Sequence, residues 1–212
     1  MLNAKSSLRI AIAGLGVVGA EVARQVINRG DDLAMNAGTP MQVVAVSARD
    51  KSLDRGVNLD GIDWYDQASE LAKRDDIDII VEMIGGSEGV ALDLARASLK
   101  TGKHVITANK AMIAHHGAEL AELAEANGVH LLFESAVAGG IPAVKTLREG
   151  LAGNKITRVA GILNGTCNYI LSTMETTGRD FEEVLADAQR FGYAEAEPSF
   201  DVDGVDAAHK LT

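Results

Sequence analysis

The chain is poor in several things that would each point to a class of protein. Among its 212 residues there is a single cysteine, Cys167. An internal disulfide framework is therefore excluded, and the usage suits a reducing cytosol. Lys and Arg number 20 against 30 Asp and Glu, for a formal charge of −10 and a pI near 4.9. That balance argues against non-specific binding to nucleic acid or to an anionic membrane, since both need clustered cations. No apolar run approaches the ~18 to 20 residues that span a bilayer. The start, Met1-Leu-Asn-Ala-Lys-Ser-Ser-Leu-Arg9, is a short polar lead into a strand and lacks the pattern of a secretory signal. Internal repeats and low-complexity segments are missing too. What remains, 47% hydrophobic residues at a mean hydropathy of +0.06, fits a soluble protein with an ordinary packed core.

Strand and helix patterns alternate along most of the chain. Leu8 to Ala13 is short, apolar and β-branched, and it runs directly into Gly14-Leu-Gly-Val-Val-Gly19. Val18, Val22, Ala23 and Val26 then recur at helical spacing, with Gly30 as a stop and Asp31 to Pro40 as a long polar connection. Further strands are expected at Gln42 to Val46, Ile77 to Met83, His104 to Thr107 and Val129 to Phe133. Helices are expected at Asp66 to Lys73, Val90 to Lys100 and Ala111 to Asn127. Near-continuous apolar strands alternating with helices indicate a Rossmann-type, doubly wound parallel sheet. After about Glu134 the texture changes. Ala136 to Pro142 reads as a glycine-rich bend, Val144 to Leu151 as a short helix and Ile156 to Leu163 as a strand. Helices follow from Asn164 to about Glu175 and from Asp180 to Arg190. The expected organisation is a dinucleotide-binding domain over residues 1–135 and a partial α+β substrate and dimerisation domain over 136–212.

The glycine run follows a strand and opens a helix, which is the context a dinucleotide fingerprint requires. Gly14 permits the tight turn, Gly16 the close approach of the pyrophosphate, and Gly19 close helix–strand packing. The helix start at Val17 and Val18 offers N–H groups to the anion. At the end of the second strand the chain reads Val46-Ser-Ala-Arg-Asp-Lys51. Arg49 and Lys51 there favour NADP(H), whose 2′-phosphate they could reach, while Asp50 keeps NAD(H) open. Ile84 and Gly85 after the third long strand fit either a turn beneath the nicotinamide ribose or a plain strand-to-helix turn. Thr107-Ala-Asn-Lys110 ends a strand at the edge where ligands bind in such sheets, which makes Lys110 a functional candidate. The tail, Gly192 to Lys210, crowds carboxylates beside a lysine and a histidine. Taken alone, Asp206 and Lys210 at i and i+4 are an exposed pair worth a few tenths of a kcal/mol.

Five blocks together resemble homoserine dehydrogenase: Gly14 to Gly19, Thr107 to Lys110, Glu134 to Pro142, Gly161 to Leu171, and Gly192 to Pro198 with Asp201 to Lys210. The resemblance implies interconversion of L-homoserine and L-aspartate 4-semialdehyde with NADP(H) or NAD(H), on the route to threonine and methionine. It implies Lys210 as proton donor to the carbonyl oxygen, Asp206 and Glu195 as binders of the amino acid, and Lys110 between cofactor and substrate. Gly192 would lie in the segment touching both ligands. Glu134, Val137, Gly139 and Ile141 match the family's sodium-binding positions. A cytoplasmic homodimer is implied for the full-length protein. Members of that family continue well past Thr212, so the resemblance also implies a truncated chain. The alternative for it is an NADP-binding module with no catalysis of its own.

Overall fold

The computed structural model describes residues 7–212. They form two compact units, one running to Pro142 and the other from Ala143 to Thr212.

The first unit is built on six parallel strands: β1 (Leu8–Ala13), β2 (Met41–Ser47), β3 (Asp63–Tyr65), β4 (Ile79–Glu82), β5 (His104–Thr107) and β6 (Leu131–Leu132). Their order across the sheet is β3-β2-β1-β4-β5-β6, and every pairing is parallel. Chain order reverses between β1 and β4, the switch point at which sheets of this kind hold a ligand outside the carboxyl ends of their strands. Helices cover both faces, because a right-handed crossover between parallel strands must pass over one face or the other. Side chains alternate along β1. Ala11 and Ala13 pack with Leu92, Leu94, Leu99, Met112 and Leu120, which belong to α3 (Val90–Lys100) and α4 (Lys110–Ala126). Ile10 and Ile12 pack on the opposite side with Val22, Ala23 and Val26 of α1 (Val17–Asn28).

Two local expectations give way here. The Asp31 to Pro40 connection is largely α2 (Gly30–Ala37), with Asp31 and Asp32 in its first turn and Gly38 as a left-handed C-terminal residue. Acidic side chains favour a helix start, and Gly30 opens this helix where it was expected to close the previous one. The bend from Ala136 to Pro142 begins inside a short helix, α5 (Glu134–Ala138), and only then turns at Gly139 and Gly140.

The second unit is helical over its described residues: α6 (Ala143–Lys145) running into a π turn at Thr146–Gly150, α7 (Gly165–Thr177), α8 (Phe181–Arg190), α9 (Ser199–Val202) and α10 (Val205–Leu211). Asn164 and Asp180 cap α7 and α8 by accepting from the amides of Cys167 and Glu183. Ile170, Val184, Ala188 and Ala194 form its small core. The segment Ile156 to Leu163, expected as a strand, has no regular secondary structure and lies outside any sheet, with Ile156, Val159 and Ile162 exposed. A strand exists by virtue of its ladder partner, and the described residues of this unit supply none.

Candidate functional site

The glycine turn shows why three glycines stand where they do. Gly14 adopts φ +94°, and a Cβ on it would lie 2.5 Å from the carbonyl oxygen of Met83 at the end of β4. A Cβ on Gly19 would lie 1.9 Å from the carbonyl oxygen of Gly14, so α1 can approach the turn only with glycine there. Gly16 differs, because a Cβ on it would meet nothing within 4 Å. Its smallness answers to no neighbour in the protein and leaves room for something outside it. Gly16 is also the N-cap of α1 and provides no side-chain acceptor for the first turn. Val17 beside it is 91% exposed and Val18 is exposed as well. A helix N-terminus with uncapped amides and open space before it suits an anion.

Around this turn the next strand ends are arranged by side chains that compositional reasoning passed over. Arg55 donates from Nε to the carbonyl of Leu15 within the turn (3.0 Å) and from its terminal nitrogens to the carbonyls of Leu53 (2.8 Å) and Asp50 (2.6 Å). Its guanidinium also lies over the Trp64 ring. Arg49 and Lys51 are exposed just past β2. The hydroxyl and amide of Ser52 both donate to Asp50, at 2.6 and 2.8 Å, and hold its carboxyl below the usual range. Asp50 is thus engaged locally in an Asx-type turn, while the two cations next to it project into solvent.

Beyond the switch point, Glu82 at the end of β4 is fully buried. Its Oε1 accepts from the amides of Ile84 (2.6 Å) and Gly85 (3.1 Å), and its Oε2 accepts from the hydroxyl of Thr107 (2.5 Å). Thr107 Oγ1 in turn accepts from the amide of Asn109 (2.9 Å). The Asn109 side chain donates to the carbonyl of Gly86 (2.6 Å) and caps α4 by accepting from Met112 (3.1 Å). Lys110, half-buried, is the first residue of that helix. The one visible signal for Glu82 was a carboxylate closing an otherwise apolar run, since a charged side chain is almost never fully buried without partners.

In the second unit Lys210 and Asp206 do meet, and not as a surface pair. Asp206 is 6% exposed. Lys210 Nζ donates to its Oδ2 at 2.7 Å and to the carbonyl of Leu163 at 2.6 Å. Asn164 donates to both Asp206 Oδ2 (2.9 Å) and Asp201 Oδ1 (2.8 Å), while its own carbonyl oxygen caps α7 at 2.7 Å. Cys167 Sγ donates to the Asp201 carbonyl (3.1 Å), and burial together with the nearby Asp201 and Asp206 charges pushes its pKa up. An ammonium has three donors, and two are committed here, leaving one direction for a further oxygen. Glu195 stands exposed on the loop after α8, makes no hydrogen bond to the pair, and has its backbone carbonyl bound by Gln189 (3.1 Å). Gly192 ends α8 at φ +76°. Asn164→Ala should remove the cap and both carboxylate contacts, lowering stability by about 1 kcal/mol or more, read as a fall in Tm by calorimetry. An unchanged Tm would show that the amide bridges nothing of consequence.

Glu134 and Val137 lie within α5, Gly139 directly after it, and Ile141 two residues further with its amide bonded to the carbonyl of Ala138. Among the described residues no three His, Cys, Asp or Glu side chains are grouped to hold a metal ion.

A parallel sheet of this order with a glycine turn at its switch point defines a Rossmann-type dinucleotide-binding protein. The family model described as the homoserine dehydrogenase NAD-binding domain matches residues 14–134, and the homoserine dehydrogenase model matches residues 142–212. The chain belongs to the homoserine dehydrogenase family. It is 49% identical over 206 residues to the homoserine dehydrogenase of Corynebacterium glutamicum, covering 97% of this chain and 46% of that one. The crystal structure of a homoserine dehydrogenase from Thiobacillus denitrificans superposes at a TM-score of 0.83 with 42% identity, covering 97% of this chain and 47% of that one. A hyperthermophilic archaeal homoserine dehydrogenase in complex with NADPH gives 0.78 at 27% identity, over 96% of this chain and 67% of that one. The chain thus spans about half the length of the curated relatives it matches.

Proposed function

We propose that this chain carries the cofactor site and part of the substrate site of an oxidoreductase that interconverts L-homoserine and L-aspartate 4-semialdehyde. The observation that carries this reading is Lys210, an ammonium steered by a buried carboxylate and a backbone carbonyl with one donor to spare. The glycine turn fits a dinucleotide, because Gly16 leaves open space before an uncapped helix start. A nicotinamide cofactor held at the glycine turn would supply hydride transfer between the hydroxyl-bearing carbon of homoserine and the aldehyde carbon. In the reducing direction charge develops on the aldehyde oxygen, and the Lys210 ammonium stabilises it and gives it a proton. Asp206 fixes the lysine's direction, and in this reading it and Glu195 also engage the substrate's polar groups. Lys110, at the carboxyl edge of the sheet, belongs to the nicotinamide side. Gly192 belongs to the segment that in this reading touches both ligands.

The cofactor is assigned as NADP(H) because Arg49 and Lys51 are exposed past β2 while the Asp50 carboxylate is taken up by Ser52. Arg49→Ala should lower the preference for NADP over NAD by about tenfold, measured as the ratio of kcat/KM values. An unchanged ratio would remove the 2′-phosphate contact from the account. A sodium site at Glu134, Val137, Gly139 and Ile141 rests on family resemblance, and these residues lie in and just after α5, where a carboxylate and backbone carbonyls could supply the oxygen donors that hard cations take. Family resemblance alone supports a cytoplasmic homodimer on the route to threonine and methionine.

The reaction is tested by supplying the full-length protein with NADP⁺ and L-homoserine and following the absorbance of reduced nicotinamide. Reduction that depends on homoserine supports an enzyme. Binding of NADP⁺ without reduction would support a nucleotide-binding module instead.

A further inference from the structure

We propose that Glu82 is a positioning residue for the nicotinamide half of the cofactor, acting by tying two strand-end loops to a single carboxylate. The inference rests on the dinucleotide site proposed above. It starts from an imbalance: a carboxylate at zero exposure whose hydrogen-bond partners, the Ile84 amide, the Gly85 amide and the Thr107 hydroxyl, are all neutral. Removing a carboxylate from water is costly, and an apolar side chain of similar volume in such a place is often neutral or stabilising. Stability alone therefore does not account for this residue.

What Glu82 does hold is geometry. Gly85 and Gly86 stand at φ +86° and +85°, two consecutive left-handed residues with no side chains to lock the loop. The carboxylate anchors this loop at the amides of Ile84 and Gly85. Through Thr107 the same group reaches the amide of Asn109, whose side chain returns to the Gly86 carbonyl. The hydrogen bonds close a circuit joining the end of β4, the glycine loop, the end of β5 and the start of α4 at Lys110. Both loops belong to the β4–β5 side of the switch point. The glycine turn and the loop past β2, which address the pyrophosphate and the adenine-side ribose, lie on the other side. The circuit touches the glycine turn through the Met83 and Ile84 backbone behind Gly14, but its side-chain links all lie on the β4–β5 side, so its effect falls mainly on one half of a dinucleotide.

That asymmetry makes the test. Adenosine 5′-diphosphate carries the adenine half and the pyrophosphate but no nicotinamide. Glu82→Gln keeps the side chain's shape and leaves only one acceptor oxygen, so the amide nitrogen must face either Thr107 or the loop amides. Dissociation constants for NADPH and for adenosine diphosphate are measured by calorimetry on the full-length wild type and variant. The expected result is about tenfold weaker NADPH binding with the adenosine diphosphate constant unchanged within about twofold. Equal weakening of both ligands would show a merely structural role and overturn the inference, as would unchanged NADPH binding. Should Glu82→Gln fail to fold, Thr107→Val opens the same circuit and should give the same split, with Thr107→Ser restoring it. Unchanged NADPH binding in Thr107→Val would overturn the inference equally. A wild type that binds neither ligand would overturn the dinucleotide reading itself, which is a distinguishable outcome.

Discussion

Replacing Lys210 with alanine in the full-length protein is expected to lower kcat by about 10²- to 10⁴-fold while leaving the dissociation constant for NADPH unchanged. The size of the effect follows from what the ammonium does. In the proposed reaction the ammonium meets the oxygen on which charge develops, so its loss would fall on the transition state, while the glycine turn proposed for the cofactor belongs to the other unit. Arginine at the same position should not restore turnover, because a guanidinium stays protonated and cannot pass its proton on. The loss also leaves Asp206 buried without its cation, so some stability will go with it. Steady-state kinetics and a binding titration on the same preparation separate the two effects. Retained turnover would dismiss Lys210 as the proton donor.

The second large effect concerns two glycines three residues apart that should behave oppositely. Gly19→Ala would place its Cβ on the Gly14 carbonyl oxygen, and Gly14 cannot yield because its own position is fixed against Met83 at the end of β4. A cost of about 3 kcal/mol or more in stability is expected, enough to lower Tm by several degrees and to abolish cofactor binding with it. Gly16→Ala meets no neighbour, so Tm should hold while NADPH binding weakens by about tenfold or more. Thermal denaturation with and without NADPH distinguishes them. A Gly16→Ala variant that binds NADPH normally would mean that no ligand backs onto that residue.

The contrast between those glycines bears on how far the sequence alone could be read. The strand–glycine–helix unit was legible because its causes are local: an apolar strand, a turn needing positive φ at Gly14, and a helix that packs on it through Gly19. The bounds of α3 were legible for similar reasons, with apolar periodicity broken by Gly89 and Gly102, and β5 begins just past Gly102 and ends where Asn109 caps the next helix. The pairing of Lys210 with Asp206 was legible as spacing, but not its burial. Asn164, Asp201 and Leu163 surround it from positions up to 47 residues away, and no local pattern announces that. Glu82 shows the same limit, since one of the residues that satisfy it, Thr107 at the end of β5, lies 25 residues away. Ile156 to Leu163 failed in the other direction. Its apolar content suits a strand, but strands are made by partners.

The central claim is that Lys210 serves a hydride transfer between homoserine and a nicotinamide. It is tested most directly with L-homoserine carrying deuterium at both positions of its hydroxyl-bearing carbon, given to the full-length protein with NADP⁺, followed by mass spectrometry of the reduced cofactor. The expected result is one deuterium per reduced nicotinamide in the wild type and almost no reduced cofactor in Lys210→Ala. Reduced cofactor without deuterium, or labelled cofactor formed equally fast by the variant, would contradict the account.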